Sequence, residues 1–294
     1  MESSVSVKAG GQIAGPKPRP LQFQRFTRLN RVLHATMIVS FISLAMTGMT
    51  LKFSYTGWAA FVSRMLGGFE AAGLIHRFSA SVMFCLFVLH LWDLNRQRRE
   101  DHGGSLLSLI FNPDSLMFNK ADLRDLVGTI KWFVGAGKRP RYRRWTYWEK
   151  FDYFAVFWGI AVIGSTGLML WFPELFTRVL PGSLINVATI IHSDEALLAT
   201  GFIFTVHFFN THLRPEKFPM DTIIFTGRMP VAEFKRDKPA EYEELVANGK
   251  LEEHLVEAYQ PVVIRAVRAF AWTALAVGTM MVLWILYAMI FAYR

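Results

Sequence analysis

The sequence predicts an all-α, integral membrane helical bundle with five transmembrane helices. Three observations carry this: five apolar runs long enough to cross a bilayer, a composition 52% hydrophobic and only 19% charged, and basic residues gathered in alternate connecting segments. A helix needs about 20 apolar residues to span the hydrocarbon core. Such runs lie at 32–51, 74–92, 153–172, 187–209 and 266–292. One run alone would fit a buried helix of a soluble domain, but five in 294 residues do not.

Residues 1–24 are rich in Gly, Pro and Ser, lack an apolar run, and read as a flexible cytoplasmic tail rather than a cleavable signal. Residues 25–225 then hold four of the spans, 226–262 form a charged cytoplasmic segment, and 263–294 add a C-terminal fifth helix. The loops at 54–69 and 173–185 are short, the second broken by Pro173, Pro181 and Gly182. In the longer loop after the second span, Leu123, Leu126, Val127, Ile130 and Val134 recur at helical spacing opposite Asp122, Arg124, Asp125 and Lys131. That pattern predicts an amphipathic helix on the membrane surface. The segment 233–257 is expected to be helical from Glu241 onward and to serve as surface.

The placement of charge sets an orientation. Six Lys/Arg precede the first span, twelve lie between 93 and 150, and seven between Arg214 and Lys250, whereas the other two loops carry only Lys52, Arg64 and Arg178. By the positive-inside rule the chain is a multi-pass protein of the cytoplasmic membrane with its N-terminus in the cytoplasm. The net charge of +9 is thereby assigned to topology and lipid headgroups, with no nucleic-acid partner. The single cysteine, Cys85, reads as a small packing residue and excludes a thiolate metal site or C-x-x-C-H haem attachment.

Histidine is the informative residue. His102 and His254 sit in charged loops, but His34, His76, His90, His192, His207 and His212 lie in or at the ends of spans one, two and four. Ionisable side chains inside a bilayer are costly and usually functional. His76 and His90 are 14 residues apart, about 21 Å along a helix and ~40° from one face; His192 and His207 are 15 apart, about 22 Å and ~60° off. Spans two and four run in the same direction, so His76 is level with His192 and His90 with His207. Level pairs of imidazoles at two depths fit two bis-histidine haems in a four-helix core. A zinc or copper centre would need its ligands clustered instead. In a straight helix His212 points ~140° away from His207, and with His34 it offers a third haem site. Gly48, Gly159, Gly164, Gly167 and Gly201 would let a porphyrin approach the backbone, and Arg31 and Arg77 are placed to pair with propionates.

The segments RFTRLNRVLHATMIVSFISLAMTG, IHRFSASVMFCLFVLHL, YWEKFDYFAVFWGIAVIGSTGLMLWFPE and IIHSDEALLATGFIFTVHFFNTHLRPEKFPMD resemble the membrane cytochrome b (gamma) subunits of formate dehydrogenases and NiFe-hydrogenases and related bacterial di-haem cytochrome b proteins. The resemblance implies four helices holding two b haems and electron transport between an extracytoplasmic redox subunit, iron–sulfur or multihaem cytochrome c, and the quinone/quinol pool of a respiratory chain. It implies His76 and His192 for the outer haem, and His34 with His207 for the inner one. Spacing alone offers His90 with His207 for the inner place, the two-helix arrangement of bc-type cytochromes, and leaves two or three haems open. The family's quinone contacts fall at the start of span three, on Glu149 and Lys150 here, near Tyr147, Trp148 and Asp152, with Glu149 as a proton donor. Asp194 and Glu195 are candidates for bonding the adjacent His192. A histidine proton relay in a transporter, or a structural anchor without haem, are the competing readings.

Overall fold

Helices begin where a side chain can hold the free backbone N–H groups of the first turn. In the computed structural model, which describes residues 19–100, 103–218 and 220–292, this moves the helix starts outward from the apolar runs. Thr27 caps the first span through a capping box with Asn30, and Thr146 caps the third through one with Glu149. The five spans are Arg28–Lys52, Phe69–Glu100, Tyr147–Trp171, Ser183–Leu213 and Pro261–Phe291. The chain is thus a helical, multi-pass membrane protein. His102 lies outside the described residues.

Spans one and three run away from the basic segments, and spans two and four return. Span five packs against spans one and four through a core of Ala45, Phe204, Phe208, Met220, Ala271, Leu275 and Met281. Gly278 is required there, because a Cβ at that position would lie 2.1 Å from the Phe204 ring. Farther along, Trp58 stacks on Trp284 at 5.2 Å. Cys85 is exposed on the surface of span two rather than packed inside, since its face of the helix points away from the bundle.

Two of the spans depart from α-helical geometry near their histidines or the partners of those histidines. Span three carries a π-helical turn at Ile160–Gly164, and span four carries two, Ile203–His207 and Phe209–Leu213. Such turns are rare and concentrate at functional sites.

The basic end of the bundle is closed by a small folded cap. Strand β1 (Leu21–Gln24) lies at the centre of an antiparallel sheet, between β2 (Arg228–Pro230) and β3 (Leu255–Glu257). Phe23 is buried and stacks on Phe234 at 3.9 Å, with Ile223 and Met229 completing the core. This corrects the expectation of a flexible tail through residue 24: its last four residues are a central strand, and residues 1–18 lie outside the described ones. The partner strands are some two hundred positions away, so local composition could not show the pairing. The segment 226–262 is likewise folded, with helices at Val231–Asp237 and Pro239–Ala247, and Glu241 is buried rather than on the surface.

Charges stitch the cap to the bundle. Arg25 reaches Glu149 at 3.4 Å and Glu241 at 3.5 Å, and Lys238 reaches Glu149 at 2.5 Å. Burial pushes the Lys238 ammonium down to about 8 despite the opposing pull of Glu149. Lys217 meets Asp221 and Asp237 at 3.2 and 3.1 Å, and also Glu233. The amphipathic helix forms at Lys120–Phe133, with Leu123, Ile130, Phe133 and Val134 exposed, as expected of a surface-lying helix.

Candidate haem-binding site

At the end of the bundle far from the cap, His76 and His192 face each other with ring centres 6.1 Å apart. Each is seated in the same way. The Thr47 hydroxyl donates to Ser43 O at 2.7 Å and so accepts from His76 Nδ1 at 2.9 Å. His192 Nδ1 donates to Ile163 O at 2.9 Å and lies 3.4 Å from the Thr166 hydroxyl, which itself donates to Val162 O. Ile163 belongs to the π-turn of span three, where the loosened ladder frees a carbonyl for a side chain. The glycine after each threonine gives the ring its room: a Cβ on Gly48 would stand 3.2 Å from His76 Cε1, and one on Gly167 2.9 Å from His192 Cε1. Two Thr-Gly pairs, on spans one and three, thus seat two histidines on spans two and four.

With Nδ1 protonated and tethered, Nε2 is the unprotonated nitrogen of each ring, the one that could coordinate a metal, and neither Nε2 is hydrogen-bonded among the described residues. Two imidazoles sharing one metal ion at about 2 Å per bond bring their ring centres roughly 6 Å apart, as found here. This is the second-sphere arrangement expected of a metal-ligating histidine. The residues fit an iron held between them. Gly48 and Gly167 make room for imidazoles rather than for a porphyrin, and Gly201 has nothing within 4 Å of an added Cβ.

The end near the cap is more crowded. His207 Nδ1 donates to the Asp152 carboxylate at 2.9 Å, again leaving Nε2 available. His34, His207 and His212 line one cavity, and the Nδ1 atoms of His34 and His212 are buried without a hydrogen-bond partner. His90 stands apart: its Nε2 is 2.8 Å from the Tyr153 hydroxyl. The structure therefore brings His34, His207 and His212 together, and occupies the coordinating nitrogen of His90 with a phenol.

The π-turns explain why straight-helix arithmetic erred on span four. A π-turn closes one residue later than an α-turn, absorbing one residue, about 100° of rotation. Fourteen effective residues then separate His192 from His207, matching the His76–His90 interval at ~40°. The second π-turn likewise brings His212 to within ~40° of His207 instead of ~140°.

Other expected site residues are placed differently. Lys150 is fully buried, donates to Asp122 at 2.9 Å and Met117 O at 3.1 Å, and fixes the surface helix to span three. Glu149 does line the central cavity but is held by Arg25 and Lys238. Arg31 is engaged with Phe225 O at 2.8 Å and the Tyr259 hydroxyl at 3.1 Å, tying span one to the cap. Arg77 sits over the Trp171 ring at 5.9 Å. Asp194 pairs with Lys52 at 2.9 Å and Glu195 accepts from Trp158 at 3.4 Å, so both serve inter-span contacts rather than His192.

Residues 2–94, which include His34, His76 and His90, match the family model of prokaryotic cytochrome b561. The chain is also similar to the F420 non-reducing hydrogenase II cytochrome subunit of Methanosarcina mazei, 31% identical over 126 residues. Its first third thus resembles the cytochrome b561 family, and part of the chain resembles a hydrogenase cytochrome subunit. The aligned region covers 42% of this chain and 42% of the relative, so the match spans less than half of either. Haem b is the cofactor of a cytochrome b561, and the six histidines that this chain carries in or at the ends of its spans fit such a group.

Proposed function

We propose that the chain is a membrane cytochrome b that carries electrons across the cytoplasmic membrane, between an extracytoplasmic redox subunit and the quinone pool, through two b haems. His76 and His192 hold the one far from the cap; His34 and His207 hold the one beneath it. Haem b supplies a one-electron ferric/ferrous couple at each depth. The protein's part is to fix the ligand rings, to exclude water with apolar spans, and to bias the two irons by different tethers.

The supporting observation is the His76–His192 pair, with 6.1 Å between ring centres and both Nδ1 atoms tethered. The nitrogen count near the cap supports two haems rather than three. Four imidazoles stand there, but His90 Nε2 is bonded to Tyr153, which leaves three for iron and hence one bis-histidine site. The basic segments support a cytoplasmic cap, and the partner in the relative's name, a hydrogenase, offers the model for an extracytoplasmic redox subunit. The test is a reduced-minus-oxidised spectrum of the purified protein, with acid-acetone extraction and reduction by a quinol. A b-type spectrum with extractable haem, reduced by quinol, is expected; a colourless protein from haem-replete cells would overturn the proposal.

A further inference from the structure

Nothing in the haem arrangement uses His90. Its Nε2 is bonded to the Tyr153 hydroxyl at 2.8 Å, and its Nδ1 makes no hydrogen bond among the described residues. Both residues line one large cavity, about 1010 Å³, that also reaches His207 and His34. That volume is at the upper end of what a single drug-sized ligand occupies, roughly 300–1,000 Å³. The cavity extends past His34 and His207 as far as His90, Tyr153, Phe87 and Phe157.

The surroundings say what such a group would be. His90 meets Phe157 edge-on at 6.0 Å, Phe87 meets Phe157 at 5.1 Å, and Met83 and Leu86 extend the apolar wall. An aromatic slot with one hydrogen-bonding pair at its side suits a flat, apolar ring that carries carbonyl oxygens on its rim. We infer that His90 and Tyr153 form the hydrogen-bonding head of the quinone site, with the ring lying among Phe87 and Phe157. This rests on the quinone-linked function proposed above and moves its site from Lys150, which is buried against Asp122, to the inner half of spans two and three.

The chemistry is that of an oriented donor. When the Tyr153 hydroxyl donates to His90 Nε2, the imidazole proton is fixed on Nδ1, the one ring nitrogen left to donate to a quinone carbonyl. Asp93, one turn along span two, also lines the cavity and is hydrogen-bonded to Arg96 and Gln97. Tyr153 is a positioning residue in this arrangement, since it acts through His90.

The test uses the full-length, haem-loaded protein and the quinone analogue 2-heptyl-4-hydroxyquinoline N-oxide, titrated by quenching of its fluorescence. Wild type is expected to bind one molecule per chain. His90→Ala should weaken binding about tenfold, the loss expected for one hydrogen bond in an apolar site, and Tyr153→Phe several-fold, both with wild-type haem content and spectra. Unaltered binding by both variants would overturn this inference and leave the quinone-linked function standing. Failure of the wild type to bind would remove that function and the inference with it. Loss of a haem in His90→Ala would make His90 an iron ligand, again overturning the inference.

Discussion

The two ends of the bundle hold histidines in contrasting ways. Far from the cap, two rings sit on two Thr-Gly pairs with neutral tethers, a hydroxyl for His76 and a carbonyl for His192. Near the cap, three imidazoles gather with His90 to one side, and the hydrogen-bond partners are a carboxylate for His207 and a phenol for His90. A hydroxyl or a carbonyl fixes a tautomer and an orientation. A carboxylate does both and also raises the basicity of its ring, which favours the higher oxidation state of a bound metal. The far site is therefore built for a fixed geometry, and the near site is built where charge and protons are handled.

The largest effects should come from removing ligands. His76→Ala and His192→Ala are each expected to lower the haem content from two to one per chain, as measured by pyridine haemochrome assay, without affecting the site near the cap. Equal loss from both ends in either variant would mean that the two sites are not independent.

Next is the carboxylate. Asp152→Asn should weaken retention of the haem near the cap about 10–100-fold, the usual cost of losing an outer-sphere partner, and raise its reduction potential, leaving the far haem alone. A redox titration that shows both haems shifted together would remove the contrast between tethers.

A smaller effect separates the two glycines. Gly167→Ala brings a methyl group to 2.9 Å from His192, tighter than the 3.2 Å of Gly48→Ala to His76. Overpacking of this kind costs about 1–3 kcal/mol, so Gly167→Ala should perturb the far haem's low-temperature spectrum more than Gly48→Ala does. The reverse order would place the strain elsewhere than in the ring seat.

The smallest expected effect is from shortening span four. Deleting the exposed Thr205 should convert the π-turn into an α-turn, keep His207 in phase with His192, and preserve both haems. In a straight helix the same deletion would rotate His207 by about 100° and abolish its site. Loss of one haem would show that the π-turn does not absorb the extra residue.

The range of each force decides how much of the fold and the site was legible in the sequence. Hydropathy and charge gave all five spans, because the bilayer acts on every residue of a run. The helix ends were missed by several residues, since Thr27 and Thr146 act through single hydrogen bonds that hydropathy does not register. The level pairing of His76 with His192 could be read from spacing on two helices. The 15-residue interval to His207 was visible as an oddity, but its resolution by a π-turn was not, because no residue type marks such a turn. The Thr-Gly seats were present as Thr47-Gly48 and Thr166-Gly167, a repeat short enough to pass as chance. Lys150 is a quinone contact by resemblance and Asp122 lies on a polar helix face by spacing, yet the two are a buried pair whose rupture from one side would cost about 3–5 kcal/mol. Tyr153 had no sequence signal beyond its position in span three.

Which histidine joins His207 beneath the cap decides the most, and haem content of His34→Ala and His90→Ala tests it directly. Two haems in wild type, one in His34→Ala and two in His90→Ala is the expected result. One haem in His90→Ala with two in His34→Ala would contradict it, and would make His90 the ligand beneath the cap.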